Sequence, residues 1–243
     1  MTLRSTLSIY LAVAIFPMAA VAKEPPPKPL KPEVQTGSNI RVAPEKIEGA
    51  RRDELISNFA RCIVALSLSR TDYYLRHSDP LAADPNLDPV QFLPLSDCLG
   101  SAAGINSLES QGRFSHVSLR SWLTEAAYIR VNPRYAPLTV EALPAPSRAY
   151  FATGPEMQQA VAMGNFADCV TSRDSAGADA VLRTKRGSVE ERAAARALAP
   201  VLGACVTAGQ ILTFNAATIR IYAAEGLWQR YEAAKPAKFK GRN

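Results

Sequence analysis

Histidine is nearly absent from this chain, which has only His77 and His116. A nucleophile activated by a neighbouring base needs a histidine or an equivalent within hydrogen-bond reach. Hydrolysis by such a pair therefore has little to draw on, and both histidines read as surface residues. Also missing are Gly-x-Ser-x-Gly, His-Glu-x-x-His, the Walker phosphate loop and the Gly-x-Gly-x-x-Gly dinucleotide fingerprint. Cysteine is scarce too. None of the four forms the close Cys-x-x-Cys pair typical of metal ligands, so neither a metal nor a cofactor is expected. Charge of one sign is weak. The formal net charge is +6, and much of the excess sits in the tail Lys235–Arg242 and is not interleaved with aromatics. A solvated tail accounts for it, and no nucleic-acid partner is expected.

No apolar run is long enough for a comfortable membrane span. The longest, Leu7–Val21, is broken by Ser8 and Pro17, follows Arg4, and ends in the small residues Ala20-Val21-Ala22. This is the layout of a cleaved signal peptide over residues 1–22, with the mature chain starting at Lys23 and no stable span after cleavage. The expected location is periplasmic or secreted, where disulfides are permitted. Residues 23–43 follow as a proline-rich leader, with Pro25-Pro26-Pro27, Pro29 and Pro32 favouring an extended spacer.

What the chain does have is a repeat. Asn58–Cys98 lies on Asn165–Cys205 without a gap, with nine identities in forty-one positions, all four cysteines among them. Asn58-Phe59-Ala60-Arg61-Cys62 falls on Asn165-Phe166-Ala167-Asp168-Cys169, and Asp72, Leu75 and Arg76 fall on Asp179, Leu182 and Arg183. With seven residues fewer in the second copy, Phe114, Arg120 and Glu125 then match Phe214, Arg220 and Glu225. Four cysteines allow three pairings. A unit copied whole should carry its own bridge, which selects Cys62–Cys98 and Cys169–Cys205. Each bridge is worth about 4 kcal/mol in the chain-entropy picture.

The periodicity is helical throughout, so the expected fold is all-α: helical unit 1 over 44–130, a proline-rich linker over 131–147, helical unit 2 over 148–231, and a frayed basic tail over 232–243. Ile47, Leu55, Phe59, Cys62, Ile63 and Leu66 form the stripe of the first helix, Pro44–Leu66. Its counterpart, Pro155–Val170, starts with Thr153 and Glu156 at capping-box spacing. Short helices over Thr71–His77 and Ala178–Lys185 carry Asp72/Arg76 and Asp179/Arg183 as exposed i,i+4 pairs. Ser188 and Glu191 open a further helix, Pro94 and Pro200 interrupt the chain before the second cysteines, and Gly100 and Gly203 mark helix ends. Ser115 and Asn215 cap the last helix of each unit. There Leu119, Leu123 and Ala126 form one stripe and Ile219, Ala223 and Gly226 the matching one, with Trp122, Tyr128, Tyr222 and Trp228 completing the core. Arg120 and Glu125 are five apart, about 140° around a helix, and do not pair with each other. Their retention in both copies implies that each contacts another element of its own unit.

The pattern Phe-Ala-x-Cys, a cysteine 36 residues later, then Phe-[Ser/Asn]-x-x-x-[Leu/Ile]-Arg-x-x-x-x-Glu resembles a group of exported bacterial proteins built from paired-cysteine helical units. The resemblance spans Glu45–Tyr231 and implies an all-helical fold in the envelope. That group has no established activity, so the resemblance assigns no catalytic residue. Separately, Leu108-Glu109-Ser110 followed by Phe114 resembles the Glu-Ser stretch of lytic transglycosylases, helical cell-envelope enzymes with a catalytic glutamate. It covers under ten residues, the glycine-led motif downstream is missing, and the second copy lacks the segment. The expectation is a non-catalytic binding or scaffolding protein with an envelope protein partner. The alternative is an envelope hydrolase acting on peptidoglycan-type glycan through Glu109.

Overall fold

The computed structural model describes residues 49–103, 114–135, 148–206 and 214–235, all within one compact unit, Pro44–Asn243. The fold is all-α, with ten helices and no strand among the described residues. The first copy supplies α1 (Gly49–Leu66), α2 (Leu68–Arg76), α3 (Pro89–Phe92), α4 (Leu95–Ala103) and α5 (His116–Val131). The second supplies α6 (Gly154–Arg173), α7 (Ser175–Arg183), α8 (Val189–Ala197), α9 (Ala199–Cys205) and α10 (Ala216–Ala234). Bridges Cys62–Cys98 and Cys169–Cys205, each spanning 36 residues, tie α1 to α4 and α6 to α9 as the duplication implies.

The helix boundaries follow from local chemistry. Ser115 accepts from Ser118 N at 3.2 Å, and Asn215 and Thr218 form a reciprocal capping box at 2.9 Å each way. Ser188 accepts from Glu191 N, while the Glu191 carboxylate reaches back one residue further, to Gly187 N at 2.6 Å. Thr153 is the N-cap of α6 but makes no side-chain cap bond. Pro94 separates α3 from α4, and Pro200 lies in the first turn of α9, where its missing N–H lets α8 end at Ala197. Gly100 and Gly203 do not end helices. Neither takes positive φ, so neither can form a left-handed cap, and α4 and α9 run through them.

Two clusters make the core. The larger joins Phe59, Ile63, Tyr74, Leu75 and Leu123 of the first copy to Leu182, Leu227 and Trp228 of the second. The smaller holds Phe166, Val170, Val181, Leu198, Leu202 and Ile219, all from the second copy. Burying each large apolar side chain contributes about 1.5–3 kcal/mol, so the shared cluster binds the copies strongly. Small residues set the approach of α10 to α6: a Cβ on Gly226 would lie 2.3 Å from the Ala167 carbonyl oxygen. Leu66 is not part of the stripe, being 61% exposed where α1 ends; Val64 is buried instead. α10 continues past Tyr231 to Ala234, and residues 236–243 of the basic tail lie outside the described residues.

Candidate functional site

At the centre, α5 and α10 exchange charges. Arg120 gives two hydrogen bonds to Glu225, at 2.9 and 3.1 Å, and Arg220 Nε bonds Glu125 at 3.0 Å. Position 120 faces 225 and 125 faces 220, so the helices run antiparallel about a pseudo-twofold axis. Each carboxylate thus reaches across to the other copy, correcting the expectation of contacts confined to one unit. The arginines do keep their other bonds at home. Arg120 donates to Leu75 O at 2.8 Å and Ser78 Oγ at 2.6 Å. Arg220 donates to Val181 O, Leu182 O and Thr184 O at 2.9, 2.8 and 2.7 Å, and to Glu191 at 2.7 Å. These carbonyls belong to the last turns of α2 and α7, where a cation satisfies orphan acceptors and the negative helix end. Both guanidiniums are 2% exposed, a burial that only such dense pairing permits.

The aspartate–arginine pairs also join the copies. Asp179 is buried, held by Arg183 at 2.5 Å and accepting from the Tyr128 hydroxyl at 2.9 Å. Burial, then that hydrogen bond to Asp179, raises the Tyr128 pKa. Arg183 also closes the end of α5 through Asn132 O and Pro133 O, at 2.9 and 3.0 Å. In the mirror position Asp72 binds Arg76 and, at 3.2 Å, Lys235. Arg183 is exposed as the spacing suggested, but Asp179 is buried and the Asp72/Arg76 pair is half-buried, because the other copy's helix end covers each aspartate. Both histidines are half-buried. His116 lies between the Tyr74 hydroxyl at 3.0 Å and Asp79 O at 2.9 Å, and burial holds its pKa below the ordinary imidazole value. His77 stacks on Tyr73 with ring centroids 3.9 Å apart.

The pseudo-twofold axis generates two clefts. Met163, Tyr222, Arg120 and Glu225 line one; their counterparts Ile56, Trp122, Arg220 and Glu125 line the other. The first is almost filled, at about 20 Å³. Among the described residues the second is open, at about 520 Å³. An arm without regular secondary structure, Arg148–Thr153, accounts for the difference among the described residues. It crosses α6 so closely that a Cβ on Gly164 would lie 2.8 Å from Arg148 Nη1 and 2.9 Å from the Tyr150 hydroxyl. The Asp79 carboxylate fastens it, accepting from Phe151 N at 2.5 Å and Ala152 N at 2.6 Å. Its other oxygen accepts from Leu81 N and Ala82 N at 2.7 and 2.8 Å. Burial pushes the Asp79 carboxyl up, but the four amides outweigh it and hold it below the ordinary carboxylate range. In the open cleft Ser57 stands where Gly164 does and Arg186 where Asp79 does. Arg186 bonds Glu125, which it shares with Arg220, and burial lowers its pKa.

The repeated aromatics sit beside these clefts. Phe59–Phe114 and Phe114–Trp122 stand 5.8 and 6.1 Å apart; Phe166–Phe214 and Phe166–Tyr222 stand 5.4 and 4.8 Å apart. Residues 1–48 lie outside the described residues, as do 136–147 and Glu109. Asp79, Arg186 and Glu191 were not singled out as site residues by the repeat, since the first two differ between copies and Glu191 reads only as a cap. Among the described residues no group of three or more His, Cys, Asp or Glu side chains could hold a metal ion, and no helix is long and apolar enough to cross a membrane. No family model matches the chain, and neither a curated protein nor a solved structure was found similar to it.

Proposed function

We propose that this protein is a non-catalytic binding or scaffolding protein of the cell envelope, exported to the periplasm behind the signal peptide of residues 1–22, and that the open cleft beside Ser57 is its binding surface. One observation carries this reading: two related clefts, one closed by the chain's own arm and one that the described residues leave open. The open volume of about 520 Å³ falls in the range of ligand sites. Apolar Ile56, Ala60, Trp122 and Ile129 line it together with charged side chains. The carboxylate of Glu125, which also lines it, accepts from the two guanidiniums of Arg186 and Arg220. Two disulfides suit an oxidising compartment. The same reading places the chain with the exported paired-cysteine helical proteins, on the repeated Phe-Ala-x-Cys pattern and its bridges.

The test is a photo-crosslinking residue at Ser57, expressed in cells and compared with the same residue at Met157, which is 48% exposed at the start of α6. A discrete adduct from Ser57 and not from Met157 is expected. Equal labelling from the two positions, or none, refutes the reading.

A further inference from the structure

We infer that the open cleft takes an extended acidic peptide segment of a partner protein. This rests on the proposed binding role and names its ligand.

The filled cleft supplies the template. There a stretch of backbone without regular secondary structure crosses the helix that begins the copy, and two of its consecutive amides meet a carboxylate at Asp79. The polarity is that of a donor segment on an acceptor site. In the open cleft the site is reversed. Arg186 replaces the acceptor, and a guanidinium can only donate. A segment crossing α1 must therefore bring acceptors to that point, and carboxylates are the strongest.

The rim agrees. Among the described residues, Arg61 and Lys185 have no acidic partner, against the single unpaired acid Glu54; Asp53 lies 3.8 Å from Arg52. The filled cleft is charge-balanced, with only Arg120 and Glu225 in its lining. Ser57 in place of Gly164 adds side-chain bulk where Arg148 and Tyr150 press on the filled side. A slim residue belongs there, with an apolar or aromatic one over Ile56 and Trp122. A second copy of the arm itself, Arg148–Thr153, carries no carboxylate.

The experiment measures binding of the mature protein to two arrays of hexapeptides. One array carries one aromatic residue and two carboxylates in every arrangement, and the other carries lysines in place of the carboxylates. Binding to members of the acidic array, with the lysine array bound roughly tenfold more weakly or not at all, is expected for a charge-assisted anchor. Lys185→Glu, at the exposed rim, should weaken acidic binding roughly tenfold, while Arg196→Glu, an equal change of charge on the exposed face of α8, should leave it unchanged. Arg186→Gln should also weaken it, with near-ultraviolet circular dichroism confirming that the variant is folded. No binding to the acidic array, no preference between arrays, or equal effects of Lys185→Glu and Arg196→Glu would overturn the inference. A cleft-specific adduct from Ser57 with no acidic-peptide preference would remove this inference alone. Failure of both experiments removes the binding role as well.

Discussion

Asp79→Asn separates the two jobs of one side chain. The oxygen that serves Leu81 N and Ala82 N can remain in place as the amide oxygen. The other oxygen becomes an NH2 group facing Phe151 N and Ala152 N, so donors meet donors. The loop should hold and the arm should let go. Two hydrogen bonds to a charged acceptor are lost, at about 1.5–3 kcal/mol each, and release of the arm limits the total to roughly 2–4 kcal/mol. Hydrogen exchange should lose protection at Phe151 and Ala152 while the helices keep theirs, and urea unfolding should show the lower stability. Acid should mimic the variant. The folded Asp79 pKa lies below its unfolded value of about 3.9, so its contribution is present above that value and lost as pH falls through the folded pKa. The variant should lack this part of the pH dependence. Retained protection at both amides in Asp79→Asn at neutral pH refutes the account of the arm.

The charge exchange should be strongly non-additive. Arg120→Met or Glu225→Leu alone leaves a buried charge without its partner and should cost about 3–5 kcal/mol, whereas the double variant should cost less than either single one. Additive denaturation free energies would refute it. Glycine offers a paired test. Gly226→Ala drives a Cβ to 2.3 Å from the Ala167 carbonyl and should cost at least about 1–3 kcal/mol. Gly203→Ala meets nothing within 4 Å inside a helix and should stabilise by about 0.4–1 kcal/mol in thermal melts.

Sequence reasoning reached those features that depend on one copy at a time. Capping chemistry at Ser115, Ser188 and Asn215 sits where local hydrogen bonding puts it. The bridges follow from copying a unit whole. The relation between the copies was harder to read, because a helical stripe says which face is buried and not which helix covers it. One signal was present: Arg and Glu five apart cannot meet on one helix, yet they match when that helix is laid antiparallel on its own copy. The covered aspartates and the cleft were hidden for another reason. Asp79 and Arg186 fall where the copies diverge, and a repeat directs attention to what is shared.

That same match carries a consequence for each copy alone. Residues 44–135, expressed by themselves, would leave Arg120 buried without a carboxylate, at about 3–5 kcal/mol. They would also bare Leu123, Ala127 and Tyr128, which join the shared cluster. A domain of this size has about 5–15 kcal/mol in all, so the isolated monomer should be marginal. Two such chains, however, can complete each other. Arg120 of each would face Glu125 of the other, and Tyr128 would meet Asp72, the counterpart of the Asp179 it now bonds. Interfaces of this kind are self-complementary about a twofold axis. Sedimentation of residues 44–135 should therefore show a dimer whose melting temperature rises with concentration. Arg120→Met in this fragment should weaken both the dimer and the fold. A cooperatively folded monomer, independent of concentration, would mean that the charge exchange decorates two self-sufficient domains and does not hold one fold together.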